Sequence, residues 1–131
     1  MYNVLIVDDE QIILQGLNFL IDWEEHGLEI AGQAAIGLDA LELIKNQTFH
    51  ILITDIKMPK MNGIELLEEV KRLGKNIKTI VLSGYDDFQY VKSAMKLGIE
   101  DYLLKPVNEE ELSSTLQRTV DKIEIELSTK M

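Results

Sequence analysis

The sequence predicts an α/β domain in which helices cover both faces of a five-stranded parallel β-sheet. Five short apolar runs recur along the 131 residues, and segments whose apolar residues recur with helical spacing lie between and after them. Three of the runs are rich in Val, Ile and Leu with almost no polar alternation, which is typical of strands buried on both faces. The length is that of a single domain.

The five apolar runs are the predicted strands. In chain order they are Tyr2–Val7, Leu28–Ala35, His50–Thr54, Lys78–Leu82 and Asp101–Leu104. The second run is less apolar than the others because it contains Gly32 and Gln33. We therefore expect the second strand at an edge of the sheet.

Five amphipathic helices are predicted from apolar residues that share one face. These are Ile13, Leu17, Leu20 and Ile21 in the first helix, Leu38, Leu41 and Ile44 in the second, Leu67, Val70 and Leu73 in the third, Val91, Ala94 and Met95 in the fourth, and Leu112, Leu116, Val120, Ile123 and Leu127 in the fifth. The third helix begins after Asn62-Gly63 and ends at Gly74. Asp86 or Asp87 can cap the fourth helix, and Gly98 ends it.

The alternation of strands and helices restricts the topology. Right-handed crossovers leave few arrangements, and the leading one for five strands is the flavodoxin-like, doubly wound order 2-1-3-4-5. We expect the domain to span residues 1–127. Because the fifth helix lacks a Gly or Pro stop, residues 128–131 are interpreted as a frayed tail or the start of a linker to an absent C-terminal effector domain.

Composition excludes several classes of function. Thirteen basic against 23 acidic residues give a net charge of −10, so the chain is a poor binder of nucleic-acid phosphates by itself. The absence of cysteine removes disulfides, thiolate metal sites and cysteine nucleophiles. No apolar run approaches the ~18 residues of a membrane span, and the N-terminus lacks a basic signal-peptide region. We expect a soluble, cytoplasmic protein.

Polar residues follow four of the predicted strands. Asp8 and Asp9 follow the first strand, Asp55 the third, Ser83 the fourth and Lys105 the fifth. Each alone has a structural explanation, as a helix cap, a turn residue, a loop hydroxyl or a solvated charge. In the predicted order, however, they meet at one edge of the sheet, where three carboxylates repel each other unless cations lie between them.

A magnesium-dependent phosphoryl-transfer site explains this set of residues. Carboxylate and carbonyl oxygens select a hard cation such as Mg²⁺, which commonly bridges carboxylates to a phosphoryl group. Mg²⁺, Lys105 and the Ser83 hydroxyl could each bind one phosphoryl oxygen. Asp55 is the best candidate for the nucleophile, because the third strand is central in the predicted sheet.

The chain resembles the receiver domains of two-component response regulators. Four pieces carry the resemblance, each at a predicted strand end: Val4–Glu10, Thr54–Gly63, Val81–Tyr85 and Asp101–Pro106. Haloacid-dehalogenase-like phosphatases also use an Asp nucleophile with Mg²⁺, but they require a second Asp two residues later, where this chain has Lys57. A degenerate receiver that serves only as a scaffold is disfavoured because every key position is filled.

The resemblance implies a role for each site residue. Asp55 is expected to accept a phosphoryl group from a phosphohistidine on a sensor histidine kinase. Asp9, Asp55 and the main-chain carbonyl of Lys57 are expected to bind Mg²⁺, with Asp8 acting through a water molecule. Lys105 is expected to pair with the phosphoryl oxygens.

The resemblance also implies a conformational switch. After the loop that follows the fourth strand moves inward, Ser83 is expected to hydrogen-bond the phosphoryl group and Tyr102 to turn its ring inward. Gly84 leaves room for the phosphodonor, and the peptide bond between Lys105 and Pro106 is expected to be cis. The domain is then a signalling phosphoacceptor rather than an enzyme, with self-catalysed phosphotransfer and autodephosphorylation at most.

Two segments, Asp22–Gly27 and Ser83–Phe88, are similar to those of receivers fused to AraC-type DNA-binding domains. This implies transcription regulation in which DNA is bound only through an absent C-terminal domain. It also implies a phosphorylation-dependent homodimer through the fourth helix, fifth strand and fifth helix. The alternative is a stand-alone receiver that acts by docking on a partner protein. The cluster from Asp22 to His26 is interpreted as a turn with Trp23 packed on the core rather than a metal site, and His26 and His50 as structural.

Overall fold

The computed structural model describes residues 1–129 as a parallel sheet enclosed by helices. Its elements are β1 Tyr2–Val7, α1 Gln11–Leu20, a 3₁₀ turn at Trp23–His26, β2 Leu28–Ala34, α2 Gly37–Asn46, β3 Ile51–Asp55, α3 Gly63–Arg72, β4 Lys78–Ser83, α4 Phe88–Lys96, β5 Asp101–Leu104 and α5 Glu109–Thr129. The strands pair in parallel in the order β2-β1-β3-β4-β5. The predicted fold class and strand order are confirmed, and β2 lies at an edge as expected.

The strand ends differ slightly from the prediction. β2 ends at Ala34, one residue earlier than predicted, and β3 is displaced by one residue so that Asp55 is its last member. β4 extends to Ser83, because the carbonyl of Ser83 accepts a hydrogen bond of 2.8 Å from the N–H of Lys105. The shifts of β3 and β4 bring Asp55 and Ser83 into the hydrogen-bonded sheet, which holds their backbones more firmly than a loop would.

Both faces of the sheet are buried, which explains the lack of alternation in the strands. Val4 and Ile6 of β1 pack in one apolar cluster with side chains of α1 and α5. Leu5 and Val7 of the same strand pack in a second cluster with side chains of α2 and α3. All four are fully buried, and burying such a side chain contributes about 1.5–3 kcal/mol.

Helix boundaries follow the predicted signals at several ends. Asn62 caps α3, where its side chain accepts the N–H of Glu65 and the Glu65 carboxylate accepts the N–H of Asn62. Gly74 and Gly98 follow α3 and α4 with positive φ, a conformation that Gly adopts without strain.

Three apolar residues predicted to face the core are exposed instead. They are Leu38, Met95 and Leu127. In α2 and α4 the small residues Ala40 and Ala94 are fully buried, so the helices approach the core closely and the neighbouring long side chains lie to the side. Leu127 lies at a cavity beside His50 and Lys78, past the part of α5 that packs on the sheet.

The segment from Asp22 to His26 was interpreted as a turn with Trp23 packed on the core, and the structure has a 3₁₀ turn at Trp23–His26, directly after Asp22. Trp23 is buried, and its indole Nε1 donates a hydrogen bond of 3.0 Å to the carbonyl of Leu17. His26 Nδ1 lies 3.1 Å from Gln117 Oε1, which ties the turn to α5.

The end of the chain falls partly outside the described residues. Residues 128 and 129 continue α5, and the interpretation of residues 128–131 as a frayed tail or the start of a linker stays a prediction. Residues 130 and 131 of that predicted tail lie outside the described part. In residues 1–129 the helices are too short or too polar to cross a membrane.

Candidate functional site

The carboxyl edge of the sheet positions the candidate site residues. Asp8 directly follows β1, Asp55 ends β3, and Ser83 ends β4. Asp55 pairs in register with Leu82 of β4, and Ser83 pairs with Leu104 of β5, the residue before Lys105. Consecutive strands of the sheet therefore deliver these side chains to one place.

Lys105 bridges two buried carboxylates. Its Nζ lies 2.9 Å from Asp8 Oδ2 and 3.2 Å from Asp55 Oδ2. The side chain of Asp8 is fully buried and that of Asp55 is 7 % exposed. The peptide bond between Lys105 and Pro106 is cis, as predicted.

Asp9 completes a triad of acids. Carboxylate oxygens of Asp8, Asp9 and Asp55 all lie within 4.8 Å of one another, and Asp9 is exposed to solvent at the mouth of the cluster. Lys105 forms ion pairs with two of these three carboxylates, so the described part of the site carries an excess of negative charge.

The pKa values reflect this excess. Burial, and then the charge of Asp8, raise the pKa of Asp55 to about 6, against the opposing effect of Lys105. Burial also raises the pKa of Asp8. Burial alone would lower the pKa of Lys105, but its contacts with Asp8 and Asp55 outweigh that effect and raise it. The ammonium is therefore held charged while the acids remain under-neutralised.

The donor set fits a hard divalent cation. Asp8 Oδ1 accepts the N–H of Glu10 at 2.9 Å, whereas Asp8 Oδ2 has its ion pair with Lys105 but accepts no hydrogen bond from residues 1–129. Oxygen ligands from three carboxylates, one of them open to solvent, suit Mg²⁺, which keeps part of its water shell.

Ser83 carries an unsatisfied hydroxyl beside this cluster. Its Oγ is fully buried and has no hydrogen-bond partner within the described part of the chain. Leaving a buried hydroxyl without a hydrogen-bond partner costs about 1–3 kcal/mol of folding stability. Such groups are therefore rare in folded proteins. Tyr102 is partly exposed and lines, with Ser83, a groove of about 280 Å³ between α4 and β5.

The sequence prediction missed the part that Asp87 takes in this region. We predicted that Asp86 or Asp87 caps α4, but Asp87 stands at the N-cap position without a side-chain cap bond. Its carboxylate turns back instead, to Gly84 N–H at 2.7 Å and to Lys57 Nζ at 3.1 Å. Asp87 therefore takes the predicted N-cap position, but its side chain makes no cap hydrogen bond and pairs instead with Lys57 on a neighbouring loop, distant in sequence.

Gly63 is a second residue whose role the sequence did not reveal. A Cβ at this position would lie 2.6 Å from the carbonyl oxygen of Asp55 and 2.9 Å from Cα of Ile56. The start of α3 therefore packs directly on the backbone of the candidate nucleophile. Asn62-Gly63 marked only a turn in the sequence, and the close approach depends on the fold.

Fold and site together define a class of signalling domain, in which a doubly wound sheet carries acids, a hydroxyl and a lysine at its carboxyl edge. The chain belongs to the response regulator receiver domain family, which it matches over residues 4–117. Phosphorylation-based switching is general for this family, whose members are signalling phosphoacceptors that interact with histidine kinases and generally bind Mg²⁺ at an acidic pocket.

Relatives and solved structures agree with this assignment. The chain is 44 % identical over 123 residues to the transcriptional regulatory protein YesN of Bacillus subtilis, covering 94 % of this chain and 33 % of YesN. It is 42 % identical over 120 residues to the transcriptional regulatory protein HptR of Staphylococcus aureus, covering 92 % of this chain and 47 % of HptR. The chain thus spans between a third and a half of these relatives.

The comparison with solved structures gives the same family. The receiver domain of AraT, a response regulator from Geobacillus stearothermophilus, superimposes with a TM-score of 0.91 at 37 % identity, over 96 % of this chain and 98 % of that one. A two-component transcriptional regulator AraC from Clostridium phytofermentans gives a TM-score of 0.84 at 33 % identity, over 92 % and 94 %. The predicted resemblance to receivers of AraC-type regulators is confirmed.

Proposed function

We propose that Asp55 accepts a phosphoryl group from a phosphohistidine of a sensor histidine kinase, in a Mg²⁺-dependent reaction, and that the acyl phosphate switches an output. The observation that supports this most directly is the position of Lys105, whose ammonium lies between the buried carboxylates of Asp8 and Asp55. A cation held there by two acids is placed to remain beside Asp55 when that residue gains a phosphoryl group.

The residues divide the work of transfer. An Asp55 carboxylate oxygen attacks phosphorus, the phosphorus–nitrogen bond of the phosphohistidine breaks, and its electron pair returns to the imidazole, which takes a proton from water. Asp9, Asp55 and the main-chain carbonyl of Lys57 are proposed to hold Mg²⁺, with Asp8 acting through water. When bound, the ion neutralises negative charge on the phosphoryl oxygens. Lys105 pairs with the same oxygens and favours the ionised form of Asp55.

Ser83 supplies the proposed switch. Its buried Oγ, which has no hydrogen-bond partner among residues 1–129, gains an acceptor when a phosphoryl group is on Asp55, so it interacts differently with the two states. Inward movement of the loop after β4 would bring Ser83 to the phosphoryl group, and Tyr102, in the same groove, would turn inward with it. Gly84 leaves the space through which the phosphodonor approaches.

The proposed readout is the face formed by α4, β5 and α5. Its large exposed side chains include Phe88, Met95, Tyr102 and Leu104. We propose that phosphorylation forms a homodimer through this face and activates transcription through a C-terminal AraC-type DNA-binding domain outside this sequence, in the cytoplasm. The transcriptional regulatory relatives, which are two to three times as long as this chain, support that reading over a stand-alone docking receiver.

The test is direct phosphorylation by a small donor. With Mg²⁺ and acetyl phosphate, intact mass should show one added phosphoryl group that is labile to base. The adduct should be absent from Asp55→Asn and from wild type in EDTA. Asp39→Asn, which changes an exposed aspartate of α2, is the matched control and should be modified like wild type. An adduct of equal yield in Asp55→Asn would place the nucleophile elsewhere.

A further inference from the structure

Asp87 is a buried acid within an otherwise exposed turn. It is 4 % exposed, whereas its neighbours Tyr85 and Phe88 are 87 % and 68 % exposed. The side chain of Asp86 is also open to solvent, at 86 % exposure. An acid that is buried where its neighbours are solvated requires specific partners, because desolvating an unpaired carboxylate is costly.

Asp87 has partners on two different loops. Oδ2 accepts a hydrogen bond of 2.7 Å from the N–H of Gly84, and the Asp87 N–H returns a bond of 3.2 Å to the Gly84 carbonyl. Oδ1 lies 3.1 Å from Nζ of Lys57, on the loop after β3. Lys57 Nζ also lies 3.8 Å from Asp86 Oδ2 and 5.5 Å from the centre of the Tyr90 ring.

This arrangement uses Asp87 at the expense of α4. An Asp at the N-cap position ordinarily accepts an N–H of the first helical turn, and that bond is worth about 1 kcal/mol. Here the carboxylate makes no cap bond and points away from the helix. Asp87 therefore connects the turn before α4 to the loop after β3 instead of capping the helix.

We propose that Lys57, Asp87 and the N–H of Gly84 form a latch that holds the receiver in its unphosphorylated conformation. In this latch the Asp87 carboxylate competes with the phosphoryl group of Asp55 for the N–H of Gly84. This 57–87 latch deepens the proposed function and rests on it, because it acts on the movement of Ser83 toward Asp55. Asp87 is a positioning residue: it acts through Gly84 and Lys57 and touches no reacting atom.

The connectivity explains why the latch opposes switching. Gly84 directly follows Ser83, so fixing the Gly84 N–H restrains the residue whose hydroxyl must move. Lys57 lies two residues after Asp55, so the ion pair with Asp87 connects the turn before α4 to the loop that follows the nucleophile. A phosphoryl group on Asp55 adds negative charge and acceptor oxygens on the side of Ser83 and Gly84. The phosphorylated state can therefore offer the Gly84 N–H an alternative acceptor, whereas the pair of Lys57 with Asp87 favours only the unphosphorylated state.

The first experiment measures the restraint without metal or phosphodonor. Amide hydrogen exchange in EDTA should show faster exchange at residues 84–88 in Asp87→Ala than in wild type, by about tenfold. Asp87→Asn keeps an acceptor for the Gly84 N–H but loses the charge, and it should give a smaller increase. Asp86→Asn is the matched control, because Asp86 is exposed and more distant from Lys57. Unchanged exchange in Asp87→Ala would overturn the latch.

The second experiment measures the cost of opening. Beryllofluoride with Mg²⁺ mimics the phosphorylated aspartate, and its affinity reports how easily that state forms. Asp87→Asn and Lys57→Gln should each bind it about fivefold more tightly, and the double variant no more than about fivefold, because both remove the same ion pair. Asp86→Asn should lie within about twofold of wild type. A residue that is only structural would lower thermal stability without raising this affinity.

The outcomes separate the latch from the proposed function. If wild type binds beryllofluoride and is phosphorylated on Asp55, but Asp87→Asn binds no more tightly, the latch is wrong and the proposed function stands. If wild type forms no adduct on Asp55, the proposed function fails, and hydrogen exchange still decides whether Asp87 restrains the turn. An additive double variant would contradict the pairing of Lys57 with Asp87.

Discussion

The two ends of the sheet both carry networks of charged side chains, but only one network is balanced. At the amino end, Lys78 Nζ lies 2.6 Å from Glu126 Oε1 and 3.6 Å from Glu100 Oε1, and Lys122 Nζ lies 2.8 Å from Glu100 Oε2. Two lysines thus meet two glutamates. At the carboxyl end, Lys105 is the one cation of residues 1–129 that forms ion pairs with Asp8 and Asp55, and Asp9 lies close by.

The difference separates a stabilising network from a functional one. Groups at the amino end have their partners, including His50, whose Nδ1 accepts the N–H of Asn3 at 2.9 Å. At the carboxyl end the acids are more deeply buried, and Asp8 Oδ2 and Ser83 Oγ accept or donate no hydrogen bond within the described residues. Burial also raises the pKa of Asp8 and of Asp55. A site arranged in this way reduces stability until a ligand supplies positive charge.

The largest effect is expected from removing the cation at the carboxyl end. Lys105→Met keeps an unbranched apolar side chain, slightly shorter than that of lysine, and leaves Asp8 and Asp55 facing each other without an ammonium. Breaking such a buried pair should lower the free energy of unfolding by about 2–4 kcal/mol at pH 7.5 in EDTA, measured by urea denaturation. The loss should be larger than that of any single lysine change at the amino end.

A double variant identifies the cause. In Lys105→Met/Asp55→Asn one of the two buried carboxylates has become neutral, so a large part of the lost stability should return. If the double variant is no more stable than Lys105→Met, the loss comes from packing of the lysine stem rather than from uncompensated charge.

A smaller effect of opposite sign is expected at the nucleophile itself. The pKa of Asp55 is about 6 in the folded protein against a usual 3.8, so the folded state binds the proton more tightly than the unfolded state. The stabilisation from this proton is complete below pH 3.8 and is lost as the pH rises through 6. Asp55→Asn avoids the buried charge and should be more stable than wild type by roughly 2 kcal/mol at pH 7.5 in EDTA.

The pH and metal dependence check that reason. The advantage of Asp55→Asn should shrink as the pH falls from 6 toward 4. Mg²⁺ at ten times its dissociation constant should stabilise wild type by about 1.4 kcal/mol and the variant by less. A constant advantage at all pH values would assign the effect to packing instead of ionisation.

The sequence predicted the fold and the edge on which the site lies, because both follow from periodicity. Unbroken apolar runs such as Tyr2–Val7 indicate two buried faces, and once the strand order is known the carboxylates must meet at one edge. The sequence also predicted the excess of negative charge at this edge, because three acids, Asp8, Asp9 and Asp55, follow strands there and Lys105 supplies one positive charge.

What the sequence did not predict depends on contacts between distant segments. Asp87 has the residue type and position of a helix cap, and only the approach of Lys57 across two loops shows that its carboxylate points elsewhere. The Ser83 hydroxyl was predicted to take part in phosphoryl binding, but that it lacks a hydrogen-bond partner within the described residues depends on how the neighbouring turn is held. Local propensity carries no information on either feature.

The smallest effect is expected at the balanced end. Lys78→Met removes the ammonium between Glu100 and Glu126, but Glu100 keeps Lys122, and the side chain of Glu126 is 44 % exposed. The loss in unfolding free energy should be about 1 kcal/mol. It should be the same with Mg²⁺ as with EDTA, because the change lies at the opposite end of the sheet from the acids. Lys75→Met, at an exposed position just before β4, is the matched control. A loss that Mg²⁺ relieves would couple the two ends and contradict their separation into a stabilising and a functional network.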